Sequence, residues 1–331
     1  MRQRPKIGLA LSGASGRAIA HIGVLEVLRE HGVPIDYISA CSSGTVIAAS
    51  YACGTLDMIK ERLLKIDKQS FFQLLNLEKN GEGIFNLDKV EQEIKKYTLG
   101  KRFEDVRPML NFVACDLDSG EGIGLTLGDL ARACRISCSV PALFPPEHWG
   151  NKLLVDGGLF SLVPADQARG MGADIVIGVD IAATPYAFKE SYVHVWRGYN
   201  YLKNSILLRP FRYIFNIFNN VYENSVKIIF YNQSDSLAEE LNNNDLDLFT
   251  ILGRAMKIAS ERHKNGKLPV CDIMLSPDVK HMGKVQLRKS KLMYYEGRRV
   301  ALEAIPKIKK LIEDFKADHK LEAVLQNAER S

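Results

Sequence analysis

Long apolar runs are missing from this 331-residue chain. No stretch approaches the roughly 18 to 20 apolar residues that a spanning helix needs, so no segment reads as a transmembrane helix. Cysteine is scarce. Its six copies, Cys41, Cys53, Cys115, Cys134, Cys138 and Cys271, mostly sit in apolar runs such as YACG and NFVACDL. That pattern excludes a disulfide-stapled scaffold and reads as reduced core thiols. A chain this long can bury a large core without staples. Cys134 and Cys138 stand one helical turn apart, but no further ligand follows at short spacing, so no metal site is read there. A strong excess of one charge is also lacking. The 44 basic and 39 acidic residues leave a net charge of +5, too mild to point to nucleic acid. Repeats and low-complexity tracts are absent. At the start, MRQRPKIGLAL has basic residues before an apolar run too short for a signal-peptide core. It reads as a buried strand, and the expected location is the cytoplasm.

The first fifty residues have a clear rhythm. Lys6–Leu11 is a short apolar strand, and SGASG (12–16) is a glycine-containing turn. Arg17–Glu30 places Ile19, Ile22, Leu25 and Leu28 at helical spacing before HGVP ends the run. Tyr37–Ala40 is a second strand, and Gly44–Cys53 a helix of small residues. Alternating strands and helices imply a parallel sheet covered by helices. Leu56–Tyr97 reads as mostly helical with a break at LEKNGEG. Strands follow at Arg107–Cys115, Leu153–Val155, Ile175–Asp180 and Cys271–Leu275, with helices near Leu127–Ile136 and Pro164–Gly170. From Met293 onward the tail is helical, with Pro306 expected to start a new helix.

One region differs in composition. Residues 189–231 hold eleven aromatics, from a chain total of 14 Phe, 12 Tyr and 2 Trp, and no acidic residue stands between Ser191 and Tyr222. Aromatic and basic residues together suit a segment lying at a lipid interface. A helical insertion packed on the core, with its basic residues solvated, suits the same composition.

Three junctions carry chemistry. Ala40-Cys41-Ser42-Ser43-Gly44 lies between strand and small-residue helix, with the shape of a nucleophile elbow. The helix N-terminus behind it favours developing negative charge. Gly13-Ala14-Ser15-Gly16-Arg17, at another strand-to-helix junction, offers backbone N–H groups to an anion, either an oxyanion or a phosphate. Val155-Asp156-Gly157-Gly158 puts a carboxylate at a strand end, where a plain Asp-Gly turn is the blander reading.

Taken in order, LSGASGRAIAHIGVL, ACSSG, SCSVPALFPP and VDGGLFSLVPADQARGMGADIVIGVD resemble the patatin-like phospholipases of bacterial type. CDIMLSPDV and MYYEGRRVA are similar to that family's closing strand and helix. The resemblance covers most of 6–182 and about 271–305. It implies a three-layer α/β/α fold with a mainly parallel sheet. It implies a single domain over 1–331 with an aromatic-basic insertion at about 186–235 and a helical tail at about 293–331. It also implies a Ser-Asp dyad without histidine, with Ser42 as nucleophile and Asp156 as base. Oxyanion donors would be backbone N–H groups among Gly13, Ala14, Ser15, Gly16 and Arg17, foremost Ala14 and Ser15, joined by Ser43. An acyl-serine would form on a lipid ester, with neither metal nor cofactor. Peripheral contact with the inner membrane face through 189–231 goes with that reading, while oligomeric state stays unread.

The chain departs from the family pattern at Ala14, Ser15 and Ala18, which replace glycines, and at Ala40, Ser161 and Leu162. Those departures keep a catalytically weak lipid-binding protein among the readings. Three others stand beside it. A short-chain NAD(P)-dependent dehydrogenase would use GASG, Asp36 and the pair Tyr199 and Lys203. A triad hydrolase would use Ser42, Asp156 and His281. A membrane module without catalysis would use 189–231 alone.

Overall fold

The computed structural model describes residues 4–66, 74–77, 82–141, 143–182, 251, 255, 258, 270–279, 282 and 289–328. The chain divides into two compact units. One joins Met1–Ala183 to Leu246–Ser331, and the other is Thr184–Asp245, which lies outside the described residues.

The first unit is built on a mixed sheet in the order β10-β9-β1-β2-β5-β8-β7, with β6 paired to β5. The strands are β1 (Ile7–Leu11), β2 (Tyr37–Cys41), β5 (Met109–Asp116), β6 (Gly122–Leu125), β7 (Glu147–Trp149), β8 (Lys152–Asp156), β9 (Ile175–Val179) and β10 (Ile273–Leu275). From β10 to β5 every pairing is parallel, and β6, β7 and β8 are antiparallel. All five residues of β1 and of β9 are buried. Successive side chains in a strand point to opposite faces, so both faces of this sheet are covered, as a three-layer α/β fold requires. Helix α6 (Ala165–Gly170) supplies one cover, where Val163, Ala165, Ala168 and Ala173 pack on Ala10 and Val176.

Helix α1 (Ile19–Glu30) is buried almost throughout. It stops at Gly32, whose φ of +67° lets Gly32 and Val33 donate back to the carbonyls of Arg29 and Leu28. Helix α2 (Ser43–Ala52) ends the same way at Gly54, and α3 (Leu56–Lys65) follows. Two further helices are α4 (Asp88–Thr98) and α5 (Leu130–Ser137). The closing helix α7 (Ser290–Ala328) packs on α1 at backbone distance. A Cβ on Gly297 would lie 1.9 Å from the Ala20 carbonyl oxygen, and one on Gly23 2.2 Å from that of Tyr294. Buried Glu26 seals the contact by accepting from Lys60 of α3 and from Tyr294 and Arg298 of α7. Among the described residues no helix is long and apolar enough to cross a membrane.

The expected elements appear, strand β7 is added to them, and three further differences stand out. The chain after β1 makes a 3-10 turn at Ser15–Ala18 before α1 begins at Ile19. The break after α3 contains a two-stranded ribbon, β3 (Asn76–Leu77) with β4 (Phe85–Asn86), too short to leave a periodic signal. Pro306 starts no new helix and lies inside α7. Val300, Ala301, Ile305 and Ile308 are buried on both sides of it, and that apolar face carries the helix through the hydrogen bond a proline removes.

Candidate active site

Ser42 and Asp156 are brought together by the register of β5. Cys41, the last residue of β2, pairs with Val113, and Asp156, the last residue of β8, pairs with Ala114. One strand runs parallel to β5 and the other antiparallel, so their carboxyl ends meet at neighbouring positions of β5. Ser42 Oγ donates to Asp156 Oδ2 at 2.6 Å across 114 residues of sequence.

Ser42 holds φ 49° and ψ −130° as the N-cap of α2. A serine pays strain for positive φ and holds it only where its surroundings fix it. Here the Ser42 N–H donates to Ser137 Oγ at 2.8 Å, and Ser137 donates in turn to the Val113 carbonyl at 2.7 Å. Thr45 donates its amide and its hydroxyl to the Ser42 carbonyl at 2.9 and 2.7 Å. Glycine is needed nearby for room. A Cβ on Gly44 would lie 2.7 Å from the Ser12 carbonyl oxygen, and one on Gly157 2.1 Å from that of Val113.

Asp156 is only 3% exposed. Its Oδ1 accepts the Gly158 N–H at 2.7 Å, so VDGG is a turn that caps its own aspartate while presenting the other oxygen to Ser42. The Asp156 N–H donates to the Ser139 carbonyl at 2.9 Å. Two thiols flank this carboxylate. Burial and then the Asp156 charge push Cys138 up to about 12, and the same two causes raise Cys41 well above the usual thiol range. Both thiols stay protonated near neutral pH and add no charge to the site.

The loop Gly13–Arg17 borders Ser42. A Cβ on Gly13 would sit 2.5 Å from Ser42 Cβ. Ala14 has φ −175°, extended backbone that alanine adopts freely, so replacing that glycine costs no strain; Ser15 takes the left-handed φ of 52° instead. Gly16 follows within the 3-10 turn, and the Arg17 side chain is buried, donating to the carbonyls of Met282 and Ala182. The Ala14 N–H donates to Ser43 Oγ at 3.1 Å. Ser43 opens α2, where first-turn amides have no partner within the helix.

His21 supports the loop from within α1. Its Nε2 stands 2.8 Å from the Ser12 carbonyl, so that nitrogen carries the proton, and Nδ1 has no partner among the described residues. Burial lowers its pKa to about 4, against the opposing Ser12 bond. Neither ring nitrogen bonds Ser42 or Asp156. Ser137, Ser139 and Ser12 were not singled out from the sequence. Ser137 and Ser139 lie inside the SCSVPALFPP block, which was the signal available for them. His281, Tyr199, Lys203 and 189–231 lie outside the described residues. Asp36 does not face the glycine loop. It stands before β2, at the far end of that strand from Ser42, where Arg4, Lys6 and the Ile7 amide hold it. Burial pushes Asp36 up, yet those donors bring it down to about 2. A cavity of about 490 Å³ lined by Arg29, Asp36, Tyr51 and Arg107 lies at that same end, away from the dyad.

A hydroxyl bonded to a buried carboxylate, on a strained turn at the N-terminus of a helix, is an arrangement able to attack a carbonyl and to steady the resulting charge. The model of the patatin-like phospholipase family matches residues 9–169. An uncharacterised NTE family protein of Mycobacterium tuberculosis is 29% identical over 177 residues, which is 54% of this chain and 49% of that protein. Patatin-like phospholipase domain-containing protein 6 of Mus musculus is 33% identical over 184 residues, 54% of this chain and 14% of its own length. A Caenorhabditis elegans patatin-like phospholipase domain-containing protein is 30% identical over 57% of this chain and 15% of its own. The chain thus spans about half or less of these relatives. A solved structure, VipD from Legionella pneumophila, aligns over 91% of this chain and 67% of its own at 12% identity, with a TM-score of 0.43. The segment that carries Ser42, Asp156 and the glycine loop is the segment the family model covers, and over residues 9–169 this chain is similar to the patatin-like phospholipases.

Proposed function

We propose that this chain is a serine acyl hydrolase acting on lipid esters, with phospholipids or lysophospholipids at a membrane surface as substrates. The observation that carries the reading is the 2.6 Å hydrogen bond from Ser42 Oγ to the buried Asp156 carboxylate. In this mechanism Asp156 takes the Ser42 proton as Oγ attacks the acyl carbonyl carbon. The tetrahedral oxyanion faces the amides at the start of α2 and in the Gly13–Arg17 loop, at the positive end of the helix dipole. Asp156 then returns the proton to the departing alcohol, leaving acyl-Ser42. Water, deprotonated by Asp156, releases the fatty acid and restores the serine. The gain from a carboxylate base comes from direct contact and low water access, since a free aspartate with pKa near 3.9 is a weak base. The aromatic-basic stretch 189–231 supports a peripheral position on a lipid surface.

The test is a panel of phospholipids and lysophospholipids in mixed vesicles, assayed with wild type, Ser42→Ala and Asp156→Asn. Wild type is expected to release fatty acid and to label at Ser42 with a fluorophosphonate, and both variants to lose about 100-fold or more. The reading fails if wild type neither cleaves a short-chain nitrophenyl ester nor labels at Ser42. Full activity in His281→Ala separates the dyad from a triad.

A further inference from the structure

The amide of Ala14 points at a side chain. It donates to Ser43 Oγ at 3.1 Å. A hydroxyl accepts through oxygen and donates through its own hydrogen, and no acceptor for the Ser43 O–H stands among the described residues. Accepting an amide hydrogen polarises the O–H and makes it a stronger donor. The position is right for the reaction. Ser43 adjoins the nucleophile and is half-buried. The loop it touches runs beside the reacting oxygen, since a Cβ on Gly13 would come within 3.3 Å of Ser42 Oγ.

We infer that the Ser43 hydroxyl is a catalytic residue that donates its hydrogen to the acyl oxyanion, with the Ala14 amide acting through it. The inference rests on the hydrolase reading and names a side-chain donor beyond the backbone amides. No proton is transferred by Ser43; it forms one hydrogen bond that strengthens as charge builds on the carbonyl oxygen. In the opposite arrangement Ser43 merely masks an amide that would serve better alone, and removing the hydroxyl raises both kcat and ketone affinity.

The experiment measures kcat and KM on a short-chain nitrophenyl ester for wild type, Ser43→Ala, Ser43→Gly and Ser43→Thr. It also measures inhibition by an aliphatic trifluoromethyl ketone, which adds Ser42 to give a tetrahedral oxyanion. Removing the hydroxyl is expected to lower kcat about 10- to 100-fold and to leave KM within about twofold. Ketone affinity should fall in step with kcat/KM. Ser43→Thr, which keeps the hydroxyl, should stay within about threefold of wild type in kcat. A purely structural role would not move ketone affinity in parallel with rate. Ser43→Ala and Ser43→Gly enzymes that melt like wild type and turn over as fast or faster overturn the role while leaving the hydrolase reading intact. A wild type without turnover or Ser42 labelling overturns both.

Discussion

Gly13→Ala isolates the spacing between the glycine loop and the nucleophile. The added methyl would lie 2.5 Å from Ser42 Cβ, 3.2 Å from the Cys41 carbonyl oxygen and 3.3 Å from Ser42 Oγ. Ordinary carbon–carbon contact lies near 3.5 Å, so about 1 Å of displacement must be found. The Ser42 backbone is poorly able to supply it, because its positive φ is fixed by bonds from Ser42 to Ser137 and from Thr45 to Ser42, so the shift falls on the Ser42 side chain. Moving Oγ by that amount stretches the 2.6 Å bond to Asp156 toward about 3.6 Å, which is no longer a hydrogen bond. General-base assistance contributes about 10²- to 10⁴-fold, so kcat should fall about 100-fold or more. Overpacking should cost about 1–3 kcal/mol of stability, visible as a lower melting temperature without loss of the fold. The control is Gly170→Ala, where a Cβ meets nothing within 4 Å and activity should not change. Initial rates on a nitrophenyl ester, fluorophosphonate labelling and thermal melts decide the matter. A Gly13→Ala enzyme within threefold of wild type in kcat would refute the reasoning.

Other expectations follow from burial and close approach. His21 has a folded pKa of about 4 against 6.5 for the free side chain. Between those values the unfolded chain binds a proton that the folded one refuses, so His21 stabilises above pH 6.5 and that stability drains away as pH falls toward 4. The loss approaches about 3 kcal/mol at the acid end. Urea midpoints at pH 7, 6 and 5 should decline in wild type, and the decline should flatten in His21→Leu; an unchanged slope would count against a buried neutral imidazole. Gly297→Ala places a methyl 1.9 Å from the Ala20 carbonyl and should separate α7 from α1. The expected cost is about 3 kcal/mol or more, read from the urea midpoint, and a midpoint equal to wild type would contradict the close packing.

The sequence by itself determined the strand–turn–helix rhythm of the first fifty residues. Apolar periodicity and the glycine stops after α1 and α2 are local signals. It also marked Ser42 and Asp156 as residues at strand ends. It started the first helix two residues early, at Arg17, because Arg17 and Ala18 close a 3-10 turn that apolar spacing cannot tell from the first turn of a helix. It misplaced a helix start at Pro306, because the packing of Ile305 and Ile308 outweighs the lost hydrogen bond. Only the tertiary structure decided that Ser42 and Asp156 touch. Residues 114 apart meet because β2 and β8 end on neighbouring residues of β5, and strand register is a property of the whole sheet. The tertiary structure likewise decided what the altered glycine loop means. Ala14 fits because its backbone is extended, and its amide is directed at Ser43 because α2 starts beside it. A hydrogen bond between two loops depends on where both are held, and neither loop's residues encode that alone.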